Sequence, residues 1–236
     1  MPFLGIDCDT FPVGEMPKCI VLPWAHFGSI RQCINRLEEN SQSIPASRWV
    51  SEIAEGLAYL HGEGVMHGDL RGANVLINEE YGVQLSDFGL SDLVKTRTAS
   101  VSRVFPEGVT SRWMAPELLQ YDFVFPVESS SDLDQSGEAR PTFAADVYAF
   151  ACVCVEIYSG EDPQFPGIPA QGRGLSRAVE KAVKSGIRPL RPSTERRTMP
   201  DELWSIVETC WRQNATDRPS ASEVVRTLKG LEASSQ

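Results

Sequence analysis

The sequence is poor in the residues that build metal cages and disulfide frameworks. Six cysteines, at 8, 19, 33, 152, 154 and 210, form no C-x-x-C pair, and the three histidines, His26, His61 and His67, share no metal-ligand spacing with them. They read as reduced thiols of an intracellular, cytoplasmic protein. Cys152 and Cys154 stand two apart on a predicted helix, which turns their side chains about 200° from each other and disfavours a bridge. Positive charge is scarce as well: 22 Lys and Arg face 32 Asp and Glu, for a formal net charge of -10. Without a basic cluster to release counterions, broad binding to nucleic acid or anionic membranes is excluded. Long hydrophobic runs are missing too. The longest nearly apolar stretch, 144–158, contains Asp146 and Glu156 and is too short to cross a bilayer. The opening residues MPFLGIDCD have neither the basic start nor the apolar core of a signal peptide, and no internal repeat is found. What remains is the composition of a soluble globular protein whose 236 residues suffice for a sizeable core.

Periodicity divides that core among helices. Residues 3–6 and 19–22 read as two short strands joined by a Pro- and Gly-containing turn. Ser29 can cap a helix in which Ile30, Ile34 and Leu37 form one stripe. A second helix spans 46–61, with Pro45 at its start, Trp49, Ile53, Leu57 and Leu60 inward, and Gly62 and Gly64 at its end. Three strand-like pieces follow at 65–67, 75–77 and 83–85, separated by polar loops. Residues 90–109 have little periodicity, and 128–141 is an acidic stretch with no core pattern. Further helices are predicted at 146–158, apolar all round, at 175–185 and at 201–211, where Leu203, Trp204, Val207 and Trp211 face inward. A last helix opens with the capping pair Ser220 and Glu223 and buries Val224, Leu228 and Leu231.

The polar loops carry the chemistry. H-G-D-L-R-G-A-N runs from His67 to Asn74, S-D-F-G from Ser86 to Gly89, and R-W-M-A-P-E from Arg112 to Glu117. Phosphoryl transfer needs a carboxylate near the attacking hydroxyl and oxygen ligands for magnesium, and Asp69, Asn74 and Asp87 are residues of those types. Asp and Gly are common in turns, so either short motif alone carries little. Their order, their spacing and the intervening strands together resemble the catalytic half of a protein kinase domain, over nearly the whole chain.

The resemblance implies a mainly α C-terminal lobe of an α+β family. Residues 1–22 would be residual N-lobe strands, 23–27 the hinge and 28–232 the helical lobe, with the activation segment at 87–117 and an acidic insertion at 128–141. It implies Asp69 as catalytic base, and Arg71, where the family usually has Lys, as the cation that offsets charge on the transferred phosphate. Asn74 and Asp87 would hold Mg2+ against the phosphates of ATP. Thr110 matches the threonine that serine/threonine kinases place near the base. At the adenine edge Leu22 would be the gatekeeper beside Pro23, Trp24 and Ala25, with Leu76 as the floor. Proline at 23 loses only an N–H, and the family uses a carbonyl there. Glu117 and Arg218 match a buried ion pair, Asp146 a carboxylate that holds the catalytic loop from below, and His67 and Phe88 part of a packing spine. W-M-A-P-E and D-V-Y-A-F point to the tyrosine-kinase-like group of serine/threonine kinases, with protein substrates in intracellular signalling.

The chain departs from that pattern at Arg71 and in two further respects. Gly68 replaces the arginine that pairs with a phosphorylated activation-segment residue, so phosphorylation at Thr96, Thr98, Ser100 or Ser102 has lost a main receiver. Nothing upstream reads as a glycine-rich phosphate loop, a strand lysine or its glutamate partner, and Lys18 is no substitute. Two readings compete: the start of a truncated chain whose Met1 is internal, or a helical-lobe pseudokinase or binding module. Either implies weak or no turnover by these residues alone.

Overall fold

The computed structural model describes residues 4–7, 19–88, 110–119, 142–172, 174–194 and 197–234. Lys18, Gly89, the four possible phosphorylation sites and the 128–141 stretch lie outside them. β1 (Gly5–Asp7) pairs antiparallel with β2 (Cys19–Val21), Gly5 opposite Val21 and Asp7 opposite Cys19. The first strand thus starts two residues and ends one residue later than the predicted 3–6, because pairing with β2 sets its register. β2 stops before Leu22 and Pro23.

α1 (Ile30–Glu39) begins in a full capping box: Ser29 Oγ accepts from the Gln32 N–H, and Gln32 Oε1 accepts from the Ser29 N–H at 2.8 Å. Its stripe Ile30, Cys33, Ile34 and Leu37 is buried. α2 (Ala46–Gly62) ends where Gly64 takes a left-handed φ of 73° and the Val65 N–H returns to the Leu60 carbonyl at 2.8 Å. Glycine carries no Cβ penalty there.

Of the three strand-like pieces, only β3 (Val75–Ile77) and β4 (Val83–Leu85) pair, antiparallel, with Leu76 opposite Gln84. Residues 65–67 belong to neither sheet, and two of their N–H groups have other acceptors: Val65 donates to Leu60, and His67 to the Asp146 carboxylate at 2.8 Å. Alternation alone could not reveal this. Asn78 shapes the β3–β4 turn, its Oδ1 accepting from the Glu80 and Gly82 N–H groups at 3.0 and 2.7 Å.

After the short α3 (Pro116–Leu119) comes the central helix α4 (Phe143–Ser159), buried continuously from Ala145 to Tyr158. α1, α2, α5 (Leu175–Lys184), α6 (Asp201–Cys210) and α7 (Ala221–Ser234) complete the lobe around it. The predicted cap of α7 is present, with Ser220 N–H donating to Glu223 and Glu223 N–H to Ser220 Oγ. Trp204 departs from its predicted burial. It is half-exposed, edge-on to buried Trp211 at 5.3 Å with the Arg191 guanidinium over its ring. Cys33, Cys152, Cys154 and Cys210 are buried free thiols, and burial pushes the pKa of Cys33 up to about 11 and that of Cys210 to about 12. Among the described residues no helix is long and apolar enough to cross a membrane.

Candidate active site

The loop between α2 and β3 is hung on α4. Asp146, 3% exposed, accepts the His67 N–H on Oδ2 at 2.8 Å and the Gly68 N–H on Oδ1 at 2.9 Å, and His61 Nε2 lies 2.9 Å from Oδ2. Gly68 takes a φ of 79°, a left-handed conformation that costs a side-chain-bearing residue about 1–2 kcal/mol. Glycine at this position therefore lets the loop meet Asp146 without that strain. The His67 ring is fully buried, and burial lowers its pKa against the pull of Asp146, Asp69 and Asp87, which favours the neutral imidazole. It stands edge-on to Phe88, with ring centroids 6.5 Å apart, although Phe88 itself is half-exposed.

Asp69 has two unequal oxygens. Asn74 Nδ2 donates to Oδ2 at 2.9 Å and to the Asp69 backbone carbonyl at 2.7 Å, and Arg71 Nε lies 3.5 Å from Oδ2. Oδ1 is buried and meets no hydrogen-bond partner among the described residues. A buried acceptor left open is costly, so it marks a place where another donor belongs. Burial raises the Asp69 pKa above the ordinary carboxylate value, opposed by Arg71, Asn74 and His67 and reinforced by the charge of Asp87.

Asn74 is buried on a 3-10 turn, Gly72–Asn74, with its amide nitrogen engaged by Asp69, so its amide oxygen remains as a donor for a cation. Its carbonyl accepts from the Ser86 N–H and Oγ at 2.9 and 3.1 Å, which joins this turn to the residue before Asp87. Asp87 is exposed at a φ of 55°. An amide oxygen and a carboxylate on adjoining segments suit Mg2+, which takes few protein ligands and fills its shell with phosphate and water oxygens.

At the other predicted edge, the structure brings Leu76 beside residues 25–29. Phe27 N–H donates to the Ile77 carbonyl at 3.2 Å, Ile77 N–H to the Gly28 carbonyl at 2.9 Å, and Ser29 bridges Leu76. Leu22 is 44% exposed and Trp24 87%, while Pro23 and Ala25 are half-buried. The Ala25 carbonyl already accepts the Gly28 N–H at 3.0 Å, leaving one lone pair and its N–H for a ligand. Thr110 opens the 3-10 turn Thr110–Arg112, and its side chain is not among the described features.

The base of the site is tied down by Arg218, whose side chain is fully buried and pairs two-pronged with Glu117 at 2.6 and 2.7 Å while donating to the Ala144 and Arg212 carbonyls. Two residues escaped sequence reasoning. Arg112 is buried and donates to the Pro163 and Ala170 carbonyls, and Glu156 accepts from the Gly72 N–H and the Trp113 indole. A lone carboxylate in an all-apolar helix was the available signal for Glu156, since a buried charge must find partners.

Residues 10–228 match the family described as protein tyrosine and serine/threonine kinase. The chain therefore belongs to the protein kinase family, as its motifs imply. It is 30% identical to serine/threonine/tyrosine-protein kinase HT1 of Arabidopsis thaliana over 89% of this chain and 46% of that protein. It is 33% identical to serine/threonine-protein kinase PkaA of Streptomyces coelicolor over 82% of this chain and 31% of that protein. It is also 29% identical to receptor-type guanylate cyclase gcy-1 of Caenorhabditis elegans, over 97% of this chain and 18% of that protein. The chain thus spans less than half the length of each. The serine/threonine and mixed-specificity names agree with the tyrosine-kinase-like grouping implied by W-M-A-P-E and D-V-Y-A-F.

Proposed function

We propose that this domain supplies the base and metal-binding half of a site that transfers the γ-phosphoryl group of ATP to serine or threonine hydroxyls of a protein substrate in the cytoplasm. The observation that carries this reading is the pair of unequal oxygens on Asp69, one fixed by Asn74 and the other without a partner among the described residues. A substrate hydroxyl donating to Oδ1 would be oriented for in-line attack, and its proton would pass to Asp69 as the new P–O bond forms and the bond to ADP breaks. The raised pKa of Asp69 favours that late proton uptake. Arg71 offsets charge on the transferred group. Asn74 and Asp87 would hold Mg2+, which bridges and neutralises the phosphates when bound. Residues 22–25 with Leu76 would form the adenine edge, and Thr110 would support the base.

No glycine-rich loop, strand lysine or partner glutamate occurs in these 236 residues, so the α- and β-phosphates lack their usual grip. Transfer by this chain alone is accordingly weak or nil. The same departure, with Gly68, favours a second reading as a catalytically silent binding module, and the similarity to a protein named for a cyclase reaction suits it. Incubating the purified chain with Mg2+, labelled ATP and a generic protein substrate separates the two. Transfer that Asp69→Asn abolishes supports the first reading, whereas no transfer at high ATP rejects turnover by this polypeptide and leaves the binding module.

A further inference from the structure

Glu156 lies near the C-terminal end of α4 and is 2% exposed. Its Oε2 accepts the Gly72 N–H at 2.9 Å and the Trp113 indole N–H at 3.1 Å. Gly72 opens the turn that ends at Asn74 and directly follows Arg71, and Trp113 belongs to the R-W-M-A-P-E motif. One oxygen therefore joins the loop bearing Asp69 and Asn74 to the distant segment anchored by Glu117. The fit at Gly72 is close, since a Cβ there would lie 2.3 Å from Glu156 Oε1. Oε1 faces Arg31 of α1 at 3.6 Å, and Arg31 is also paired with Asp162.

We propose that Glu156 is a positioning residue that couples the catalytic loop to the end of the activation segment through a single shared carboxylate oxygen, each segment being held best when the carboxylate is charged and the other segment is in place. Hydrogen bonds to a charged acceptor are about twice as strong as those to a neutral one, so loss of the charge loosens both together. Arg31 from α1 and Asp162 from the loop after α4 are the charged groups that face it, Cys152 one turn back on α4 stays a thiol, and the other two segments contribute N–H donors. Burial pushes the Glu156 pKa up to about 7 against the opposing effects of Gly72, Arg31 and Trp113, which places the change of charge in the neutral range. The consequence for phosphoryl transfer rests on the function proposed above, but the coupling can be read without nucleotide.

The test is a nuclear magnetic resonance titration of the whole chain between about pH 5 and about pH 9, following the Gly72 amide and the Trp113 indole N–H. Both signals should share one midpoint near 7 and lose that titration in Glu156→Gln. Because coupling is reciprocal, Trp113→Phe should raise the Gly72 midpoint by about half a unit, the lost donor having favoured the charged form. Arg31→Gln, at a partly exposed side chain, should raise the shared midpoint similarly and serves if Trp113→Phe fails to fold. Separate midpoints, persistence of the titration in Glu156→Gln, or a Gly72 midpoint unmoved by these substitutions would overturn the coupling. Failure of ATP turnover leaves these signals readable and bears only on the proposed function.

Discussion

Replacing Asp146 by Asn tests the idea that the catalytic loop is shaped by a carboxylate beneath it. The side chain keeps its size, but one of its two acceptor oxygens becomes an NH2 group. With the amide oxygen toward His67, the part-buried Gly68 N–H faces a donor. With the amide turned over, the His67 N–H and His61 Nε2 lose their acceptor instead. Each buried N–H left without a partner costs about 1–3 kcal/mol. The remaining bonds weaken as the acceptor loses its charge, by about half their strength. The sum is about 3–5 kcal/mol, enough to lower stability severely in a domain whose total is about 5–15 kcal/mol, yet short of abolishing folding in most of that range. Urea unfolding would measure the loss, and amide hydrogen exchange at residues 67 and 68 would locate it. A change below about 0.5 kcal/mol, with protection at those amides unaltered, would refute the reasoning. In that event the loop would owe its shape to Gly68 and to the buried neighbour Leu70.

Gly68→Ala should cost about 1–2 kcal/mol in the same unfolding assay, because its φ of 79° penalises a Cβ. Gly72→Ala should cost about 3 kcal/mol or more, since its Cβ must displace the Glu156 carboxylate and break both bonds to it; unchanged Trp113 indole resonance would contradict this. Asp69→Asn should abolish any transfer while leaving stability equal or higher, because burial disfavours the charge it removes. The folded chain holds a proton on Glu156 up to about pH 7, whereas the unfolded chain releases it near 4.5, so this residue's contribution to stability should fall as pH rises through that window. The loss is on the order of 3 kcal/mol, and a Glu156→Gln chain should show a flatter stability profile there.

The helices were legible because burial on one face imposes a 3.6-residue period that survives in the sequence: α1 starts directly after its predicted cap Ser29, and α2 lies within a residue of its predicted bounds. The ion pair of Glu117 and Arg218 was legible only through motif resemblance, because its partners are 101 positions apart. Residues 65–67 were misread as a strand since a short apolar run has the same composition whether its N–H groups meet a neighbouring strand or other acceptors such as the Leu60 carbonyl and the carboxylate from α4. Trp204 kept its helical phase but not its depth, which depends on what lies over α6.

By itself the sequence determined the kinase lobe, its element order and the identities of Asp69, Arg71, Asn74 and Asp87, because motif order and helical periodicity are local properties of the chain. Only the tertiary structure decided which donors those groups meet. Among the described residues it left one oxygen of Asp69 open, gave the loop to Asp146, and placed Glu156 between two segments far apart in sequence. The physical reason is that a buried polar atom takes the partner that folding brings to it, and no local pattern encodes that partner.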